Sequence, residues 1–193
     1  MKTAIIQYNA GNIRSVYFAL KRLGIRAEIT DDYDTIKRAD KVIFPGVGEA
    51  STTMKHLESN GLDKLIIGLT QPVLAICLGM QLLCSSSEEG DAEGLSIIQG
   101  RVKRFDNSLK VPHMGWNQVR QLKSPLFKDV EEDSYVYFVH SYYVPQNRFS
   151  AATTDYGIPF SAALKSENFY ATQFHPEKSG EVGSQILKNF IEL

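Results

Sequence analysis

The sequence predicts an α/β fold, with a mostly parallel central sheet flanked by helices and antiparallel additions in its second half. In the first half of the chain, short apolar segments alternate with segments of helical periodicity, which favours parallel strands connected by helices. In the second half, β-branched and aromatic residues dominate, which favours antiparallel strands added to the same sheet. The 193 residues suffice for one sizeable core, so we expect a single domain over residues 1–193.

Four buried strands are predicted in the first half, at residues 3–8, 25–29, 41–45 and 72–77. A polar turn at residues 9–12 follows the first strand. Apolar residues then recur at helical spacing from Ile13 to Leu23, and Gly24 is a suitable helix end. Three further helices are predicted from their apolar residues, around residues 54–57, near 62–69 and at 78–83.

The second half contains four segments rich in β-branched and aromatic residues, at 95–105, 116–122, 135–140 and 151–174. We expect them to add antiparallel strands to the central sheet. Residues 85–94 are the most polar stretch and predict a surface loop. The segment 179–193 returns to helical spacing, with one apolar face formed by Val182, Ile186, Leu187 and Phe190.

Composition and charge exclude several classes of function. The formal net charge of -1 leaves no basic field to hold nucleic acid or an anionic membrane. No apolar run reaches the roughly 20 residues that span a bilayer, and the apolar part of the N-terminus is too short for a signal peptide. We therefore expect a cytoplasmic protein whose two cysteines, Cys77 and Cys84, stay reduced. We expect neither a metal nor a cofactor.

Cys77 stands where an apolar strand runs directly into a helix. Such a turn is typical of a nucleophile elbow, in which small neighbouring residues permit a tight, strained backbone. The nucleophile then lies at the carboxyl end of a parallel strand, where α/β folds bind ligands, and the helix N-terminus favours the thiolate. The alternative is that Cys77 is a small buried hydrophobe, the common fate of a free cysteine. Cys84, two helical turns further on, is expected in the core.

A nucleophilic cysteine needs a base, and His175 is the best placed of the four histidines. It follows a strand-like segment and precedes Pro176, which restricts it to an extended conformation. His175 and Glu177 can then project to one side, so the carboxylate can hold the imidazole in the tautomer that accepts a thiol proton. A strand-end turn with a surface glutamate explains the same segment equally well.

Three separated motifs occur in order along the chain: Pro-Gly-Val-Gly at 45–48, Cys-Leu-Gly-Met-Gln at 77–81 and His-Pro-Glu at 175–177. With them, the whole chain resembles the class I (triad) glutamine amidotransferases. Within that class it is similar to the glutaminase subunits of imidazole glycerol phosphate synthase, which serve histidine biosynthesis. This closer similarity rests on the form of the Pro-Gly-Val-Gly loop and on residues 8–16, 112–117 and 140–142.

The resemblance implies a reaction and a catalytic triad. Cys77 attacks the side-chain amide carbon of glutamine, His175 takes the thiol proton and returns it to the leaving ammonia, and Glu177 orients His175. A γ-glutamyl thioester forms, and water hydrolyses it to glutamate.

The resemblance also implies two groups of supporting residues. The oxyanion site is formed by Gly46, Val47 and Leu78. Because glycines flank Val47, its peptide is free to change orientation; an ordinary β-turn after the strand is the alternative. The residues implied to hold the α-amino and α-carboxylate groups of glutamine are Gly48, Gln81, Ser141 and Tyr142.

Four residues are assigned to a partner interface, two of them with an alternative role. Asn12 and Lys178 resemble interface residues on the side where ammonia leaves. His113 and Trp116 are assigned to the partner interface or to core packing. Neither His113 nor Trp116 is expected to be catalytic.

A single domain of this length contains no second catalytic module, and free ammonia would escape to solvent. The resemblance therefore implies a heterodimer with a (β/α)₈-barrel cyclase subunit, which uses the ammonia to form the imidazole ring. Three alternatives remain open: a paralogous glutaminase that supplies ammonia for surface-sugar amidation, a non-catalytic scaffold subunit, and a cysteine hydrolase acting on peptides or small amides.

Overall fold

The computed structural model describes residues 1–8 and 12–193 of the chain. Its first half alternates strands and helices in the order β1 (Thr3–Ile6), α1 (Ile13–Arg22), β2 (Ala27–Thr30), α2 (Tyr33–Arg38), β3 (Lys41–Phe44), α3 (Ala50–Ser59), α4 (Leu62–Ile67), β4 (Val73–Ile76) and α5 (Leu78–Leu82). The second half continues with β5 (Cys84–Ser87), β6 (Ala92–Glu93), β7 (Ile98–Arg104), β8 (His113–Gln118), β9 (Tyr135–His140), β10 (Tyr142–Tyr143), β11 (Ser150–Asp155), β12 (Pro159–Ser166), β13 (Phe169–Thr172) and α6 (Gly180–Glu192). Short 3₁₀ turns lie at Pro125–Phe127 and Pro176–Lys178.

Seven strands form the central sheet, in the order β11–β12–β13–β4–β3–β1–β2. Neighbours from β13 to β2 run parallel, while β12 and β11 are antiparallel additions at one edge. The predicted α/β class with a mostly parallel sheet is therefore confirmed. The antiparallel additions come from the predicted segment 151–174.

The other strands of the second half do not join the central sheet, contrary to our expectation. β7 lies in a four-stranded sheet of order β10–β7–β5–β6, and β8 pairs with β9 in a separate antiparallel ribbon. Composition marks a segment as a strand but does not encode its pairing partner, which depends on packing. Residues 85–94, predicted as a loop, include most of β5 and all of β6, because both strands find partners in this second sheet.

Alternate residues of the parallel strands point to hydrophobic cores on opposite faces of the sheet. Ile6 and Phe44 pack on one face with residues of α3 and α4, while Ile5 and Ile43 pack on the other with residues of α1 and α6. Helices thus cover both faces, as predicted. The carboxyl ends of β3, β4 and β13 meet at one edge of the sheet because these strands are parallel neighbours.

Helix α2 is absent from the sequence prediction. It buries only Ile36, so its six residues carry no apolar periodicity, and its signal is a cap in which the Asp32 carboxylate accepts the N–H of Thr35 at 2.7 Å. Cys84 is fully buried, as predicted, although it lies in β5 rather than in a helix. The predicted turn at 9–12 falls mostly outside the described residues. Across residues 1–8 and 12–193, no helix is long and apolar enough to cross a membrane.

Candidate active site

Cys77 forms a sharp turn between β4 and α5, with φ 54° and ψ -109°. A positive φ is unfavourable for a non-glycine residue, so it persists only where the surrounding structure holds it. Here the N–H of Cys77 donates to the carbonyl of Thr172 at 2.7 Å, and its own carbonyl accepts the N–H of Gln81 at 3.2 Å. The strained elbow predicted from the sequence is therefore present.

Two glycines let the loop at residues 45–48 lie directly on this elbow. A methyl group on Gly46 would sit 2.1 Å from the backbone nitrogen of Gly79, and one on Gly79 would sit 2.5 Å from the carbonyl oxygen of Phe44. Both distances are far below van der Waals contact, so a larger residue at either position would push the two backbones apart. This close approach brings the loop beside Leu78, the residue that follows the nucleophile.

His175 comes close to Cys77 because β13 and β4 are adjacent parallel strands. Both residues follow the carboxyl ends of their strands, and both line one cavity. The turn after β13 is fixed at two points. The N–H of His175 donates to the carbonyl of Tyr137 at 2.9 Å, and the hydroxyl of Ser179 donates to the carbonyl of His175 at 2.7 Å.

Glu177 lies behind His175, outside the residues that line the cavity. Its Oε1 is 2.8 Å from Nδ1 of His175, and both side chains are almost completely buried. The amide of Asn12 donates to the same carboxylate oxygen and lies 3.4 Å from Nδ1. Because Nδ1 is committed to Glu177, Nε2 is the nitrogen left for the thiol of Cys77. Within the described part of the chain, Nε2 is buried and has no hydrogen-bond partner, so it is free for the thiol.

The electrostatics of the site favour a protonated His175. Burial alone lowers the pKa of this imidazole, but contact with the Cys77 thiol and then with the Glu177 carboxylate outweighs burial and raises the pKa to about 10. An imidazolium beside a thiol stabilises the thiolate, which is the nucleophilic form. Helix α5 has only five residues. Both His175 and the N-terminus of this short helix adjoin the Cys77 thiol.

The Cys77–His175 pair opens into a cavity of about 330 Å³, within the usual range of small-molecule sites. Eight residues predicted for the site line it: Val47, Gly48, Cys77, Leu78, Gln81, Ser141, Tyr142 and His175. Four further lining residues are absent from the sequence prediction: Glu89, Pro112, Val139 and His140. The structure thus brings the three separated motifs into contact around one small space.

The four residues assigned to a partner interface lie in different environments. His113 is only 3% exposed and stacks on Phe138 and Tyr156, so its surroundings agree with the packing alternative. Trp116 lies on the outer side of β8 and is largely exposed. Lys178 is exposed beside the catalytic turn, and Asn12 is partly buried against Glu177.

Gln81 and Gln173 connect the cavity wall to the nucleophile. Nε2 of Gln81 donates to the carbonyl of Tyr142 at 2.9 Å and to Oε1 of Gln173 at 3.0 Å, which leaves only Oε1 of Gln81 for a ligand. Nε2 of Gln173 lies 3.8 Å from Sγ of Cys77. Gln173 is absent from the sequence prediction. Its available signal was a polar residue two positions before His175, on the same side of a strand end.

Glu89 brings a half-buried carboxylate to the cavity. Its Oε2 accepts the N–H of Ala50 at 2.9 Å, and burial raises the pKa of this carboxyl. The residue lies in the polar stretch 85–94, where no motif surrounds it, so the sequence carried no signal for it.

A larger cavity, of about 520 Å³, lies among the amino ends of β1 and β2. Its charged side chains are those of Lys2, Arg26, Glu28 and Arg38, and none of its lining residues within 1–8 and 12–193 is a cysteine or a histidine. The groups suited to nucleophilic chemistry are therefore gathered at Cys77 and not in the larger space.

The fold and the arrangement of Cys77, His175 and Glu177 define a class of protein, and comparison of this chain with known proteins identifies that class. Residues 4–193 match the family model described as glutamine amidotransferase class-I. The chain is 64% identical, over 100% of both sequences, to imidazole glycerol phosphate synthase subunit HisH of Bacteroides fragilis. It is 52% identical to the HisH subunit of Mannheimia succiniciproducens, covering 97% of this chain and 98% of the relative.

The fold recurs in more distant proteins. A putative GMP synthase subunit from Thermoplasma acidophilum superposes with a TM-score of 0.75 at 22% identity, covering 100% of this chain and 92% of the other. The chain thus belongs to the class-I glutamine amidotransferases and, within them, to the family of HisH subunits of imidazole glycerol phosphate synthase.

Proposed function

We propose that this chain hydrolyses glutamine to glutamate and ammonia, as the glutaminase subunit of an imidazole glycerol phosphate synthase in histidine biosynthesis. The observation that carries the proposal is the cavity in which Cys77 and His175 meet, with Glu177 holding His175 from behind. Full-length identity of 64% to a HisH subunit favours glutamine over peptides or other amides as the substrate.

In the proposed reaction, the thiolate of Cys77 attacks the side-chain amide carbon of glutamine. The carbonyl electron pair moves to oxygen, and the imidazolium of His175 donates its proton to the amide nitrogen as the C–N bond breaks. Ammonia leaves, and a γ-glutamyl thioester remains. Water then gives a proton to His175 and attacks the thioester carbon. The C–S bond breaks, which releases glutamate and restores the thiolate beside an imidazolium.

The oxygen of each tetrahedral intermediate is proposed to lie between the backbone N–H groups of Leu78 and Val47. Leu78 follows the nucleophile directly, and the loop that carries Val47 packs on the elbow through Gly46. Gly48 has φ 117°, a conformation that favours glycine and allows the loop to turn its N–H groups inward. One oxyanion donor typically lowers the barrier by about 2.7–4 kcal/mol.

The charged α end of glutamine fits the polar part of the cavity. Of the lining residues in the described part of the chain, Glu89 alone carries a carboxylate, which suits the α-ammonium group. The backbone of Gly48 and the side chains of Ser141 and Tyr142 line the same cavity and offer donors to the α-carboxylate. The remaining Oε1 of Gln81 can accept from the α-ammonium or the amide of the substrate.

The proposed partner is a (β/α)₈-barrel cyclase subunit that receives the ammonia. Met114, Trp116 and Tyr135, which are 61%, 55% and 55% exposed, lie with Tyr137 on one side of the β8–β9 ribbon, and we call these four residues the outer ribbon face. Exposed apolar surface of this kind marks interaction sites. The ribbon is joined to the active site, because the carbonyl of Tyr137 accepts the N–H of His175. A partner bound to this face would therefore lie beside the turn that carries His175 and Glu177.

Two polar residues extend the proposed interface. The Lys178 ammonium lies 6.0 Å from the ring centre of Tyr137, and the Asn12 amide joins the surface to the Glu177 carboxylate. A partner that contacts Asn12 would be separated from the triad residue Glu177 by the Asn12 side chain alone.

The test is glutamate release by the complex of this chain with its barrel cyclase and the nucleotide substrate. Cys77→Ala should abolish release, whereas Cys84→Ala, which alters the other buried cysteine outside the cavity, should retain it. Activity in the Cys77→Ala complex would contradict the triad. Equal activity with and without the cyclase would contradict the proposed partner.

A further inference from the structure

His113 and His140 lie opposite each other on β8 and β9 and form a hydrogen-bonded pair in the interior. Nδ1 of His113 is 3.0 Å from Nε2 of His140, and Nδ1 of His140 is 2.6 Å from the carbonyl oxygen of Tyr142. At the other end, the amide nitrogen of Asn117 is 3.3 Å from Nε2 of His113. These groups form a continuous line from the β8–β9 ribbon to the cavity.

One arrangement of protons satisfies every member of this line. A carbonyl only accepts, so Nδ1 of His140 carries hydrogen, and Nε2 of the neutral ring accepts. Nδ1 of His113 must then donate, and its Nε2 accepts the N–H of Asn117. Both rings are neutral at physiological pH because burial lowers the pKa of His113 to about 4 and that of His140 to about 3. The Tyr142 carbonyl thereby sets the tautomer of His140, and His113 supplies the donor that this tautomer needs at Nε2.

This series of hydrogen bonds ends at Tyr142, which together with Ser141 forms part of the wall of the catalytic cavity. The carbonyl of Tyr142 also accepts Nε2 of Gln81 at 2.9 Å, and Gln81 continues through Gln173 to the thiol of Cys77. The orientation of the Tyr142 peptide therefore sets the position of the cavity wall and of the two amide side chains beside the nucleophile.

We propose that His113 is a positioning residue for glutamine binding, which acts by holding the ring of His140 in place and, through it, the Tyr142 carbonyl. The proposal rests on the proposed function and deepens it, since His113 itself does not line the cavity. Without the donor at position 113, Nε2 of His140 is a buried acceptor with no partner, so the ring can tilt toward another donor. That tilt would draw Nδ1 away from the Tyr142 carbonyl and release the Tyr142 peptide.

Two substitutions separate this role from packing alone. The ring of His113 stacks on Tyr156 with 4.1 Å between centroids and on Phe138 with 4.9 Å. His113→Phe keeps that stacking and removes the donor, whereas His113→Asn keeps an N–H at the place of Nδ1 and loses the ring. Packing alone therefore predicts that the Phe variant is the better enzyme, and positioning predicts that the Asn variant is.

Both variants are measured in the complex with the barrel cyclase, by the KM and kcat of glutaminase activity and by thermal unfolding. The Kd of glutamine is measured on the Cys77→Ala background, where hydrolysis is stopped. His113→Phe should raise KM and Kd about tenfold, the effect of one unsatisfied buried hydrogen bond, with a smaller change in kcat. His113→Asn should bind glutamine more tightly than His113→Phe although it unfolds at a lower temperature. A wild-type Kd in the Phe variant, or weaker binding in the Asn variant, overturns the proposal.

A third variant leaves both rings in place. Asn117→Asp replaces the outer donor by a carboxylate that only accepts, so it favours the reversed order of protons along the line. It should raise the KM for glutamine in the same direction as His113→Phe, and an unchanged KM counts against the proposal. Failure of the proposed function is distinguishable, because the wild-type complex would then release no glutamate or the Cys77→Ala complex would release it.

Discussion

Nδ1 of His175 lies 2.8 Å from Oε1 of Glu177, in a place where both side chains are shielded from water. A buried carboxylate beside an imidazole holds the ring in one orientation and stabilises its protonated form. The charge of Glu177 is therefore part of the resting site, although the residue does not line the cavity. Its removal should lower the pKa of His175 and so reduce the fraction of His175 that carries a proton for the leaving ammonia.

Glu177→Gln tests this relationship, because the amide keeps the shape of the side chain and loses its charge. We expect kcat to fall by about 10²- to 10⁴-fold, the range for a group that supports general acid–base catalysis. KM for glutamine should change little. Glu181→Gln, at an exposed position in the first turn of α6, is the matched control. Steady-state glutamate release by the complex measures both, and a wild-type kcat in Glu177→Gln would contradict the role of the carboxylate.

The meeting of Cys77 and His175 was predictable from the sequence, because each directly follows an apolar segment of strand character. Once two such strands are parallel neighbours, as β4 and β13 are, the residues that follow them share one edge. Glu89 was not predictable in this way. It reaches the cavity from the polar stretch between β5 and β6, and the path of that stretch depends on a second sheet that composition did not reveal.

The environment of His113 could not be predicted from the sequence either. Its ring is buried because β8 pairs with β9 in register, which sets His113 opposite His140 and turns Trp116 outward. Alternation along a strand tells which residues share a face, but not which face is covered. Packing of the ribbon on Phe105, Tyr156 and Phe160 decides that question.

Tyr8 makes a buried contact that predicts a difference in stability. Its hydroxyl donates to the carbonyl of Pro45, the first residue of the loop at residues 45–48. Burial raises the pKa of Tyr8 and the neighbouring Cys77 raises it further, so the hydroxyl keeps its proton. Tyr8→Phe leaves the carbonyl unpaired and should lower the free energy of unfolding by about 1–3 kcal/mol.

Tyr33→Phe is the control for that substitution. The hydroxyl of Tyr33 also donates to a carbonyl, that of Asn60, but at an exposed position where water can replace it. Urea unfolding should therefore show a larger loss for Tyr8→Phe than for Tyr33→Phe. Equal losses would mean that burial of the Tyr8 contact contributes nothing.

The outer ribbon face predicts where the cyclase binds. Large aromatic residues at the centre of an interface commonly account for much of its affinity, so Trp116→Ala should raise the Kd for the cyclase at least about tenfold. Ile67→Ala is the matched control, because Ile67 is 51% exposed at the end of α4, near the amino ends of β4 and β13. Calorimetric titration of both variants with the cyclase distinguishes them. A similar effect of the two substitutions would place the interface elsewhere.

The buried histidines predict how stability depends on pH. Burial lowers the pKa of His113 to about 4 and of His140 to about 3, against about 6.5 in the unfolded chain. At a pH between the folded and the unfolded pKa of each histidine, the unfolded chain binds a proton that the folded chain does not. The free energy of unfolding should therefore fall as the pH drops below about 6.5, by at most about 1.4 kcal/mol per pH unit for each histidine. His175 acts in the opposite sense, because its raised pKa gives stability that is complete below about 6.5 and lost as the pH approaches about 10.

His113→Phe removes one of the two acid titrations without adding a charge. Its free energy of unfolding should fall less steeply than that of the wild type when the pH is lowered from about 6.5 toward 4. The slope that remains comes from His140 and, toward pH 4, from carboxyls whose pKa is lowered in the folded chain, such as Glu49 with a pKa of about 2. Urea unfolding at a series of pH values measures the slope for the variant and the wild type. Parallel curves for His113→Phe and the wild type would show that His113 is not held neutral in the folded protein.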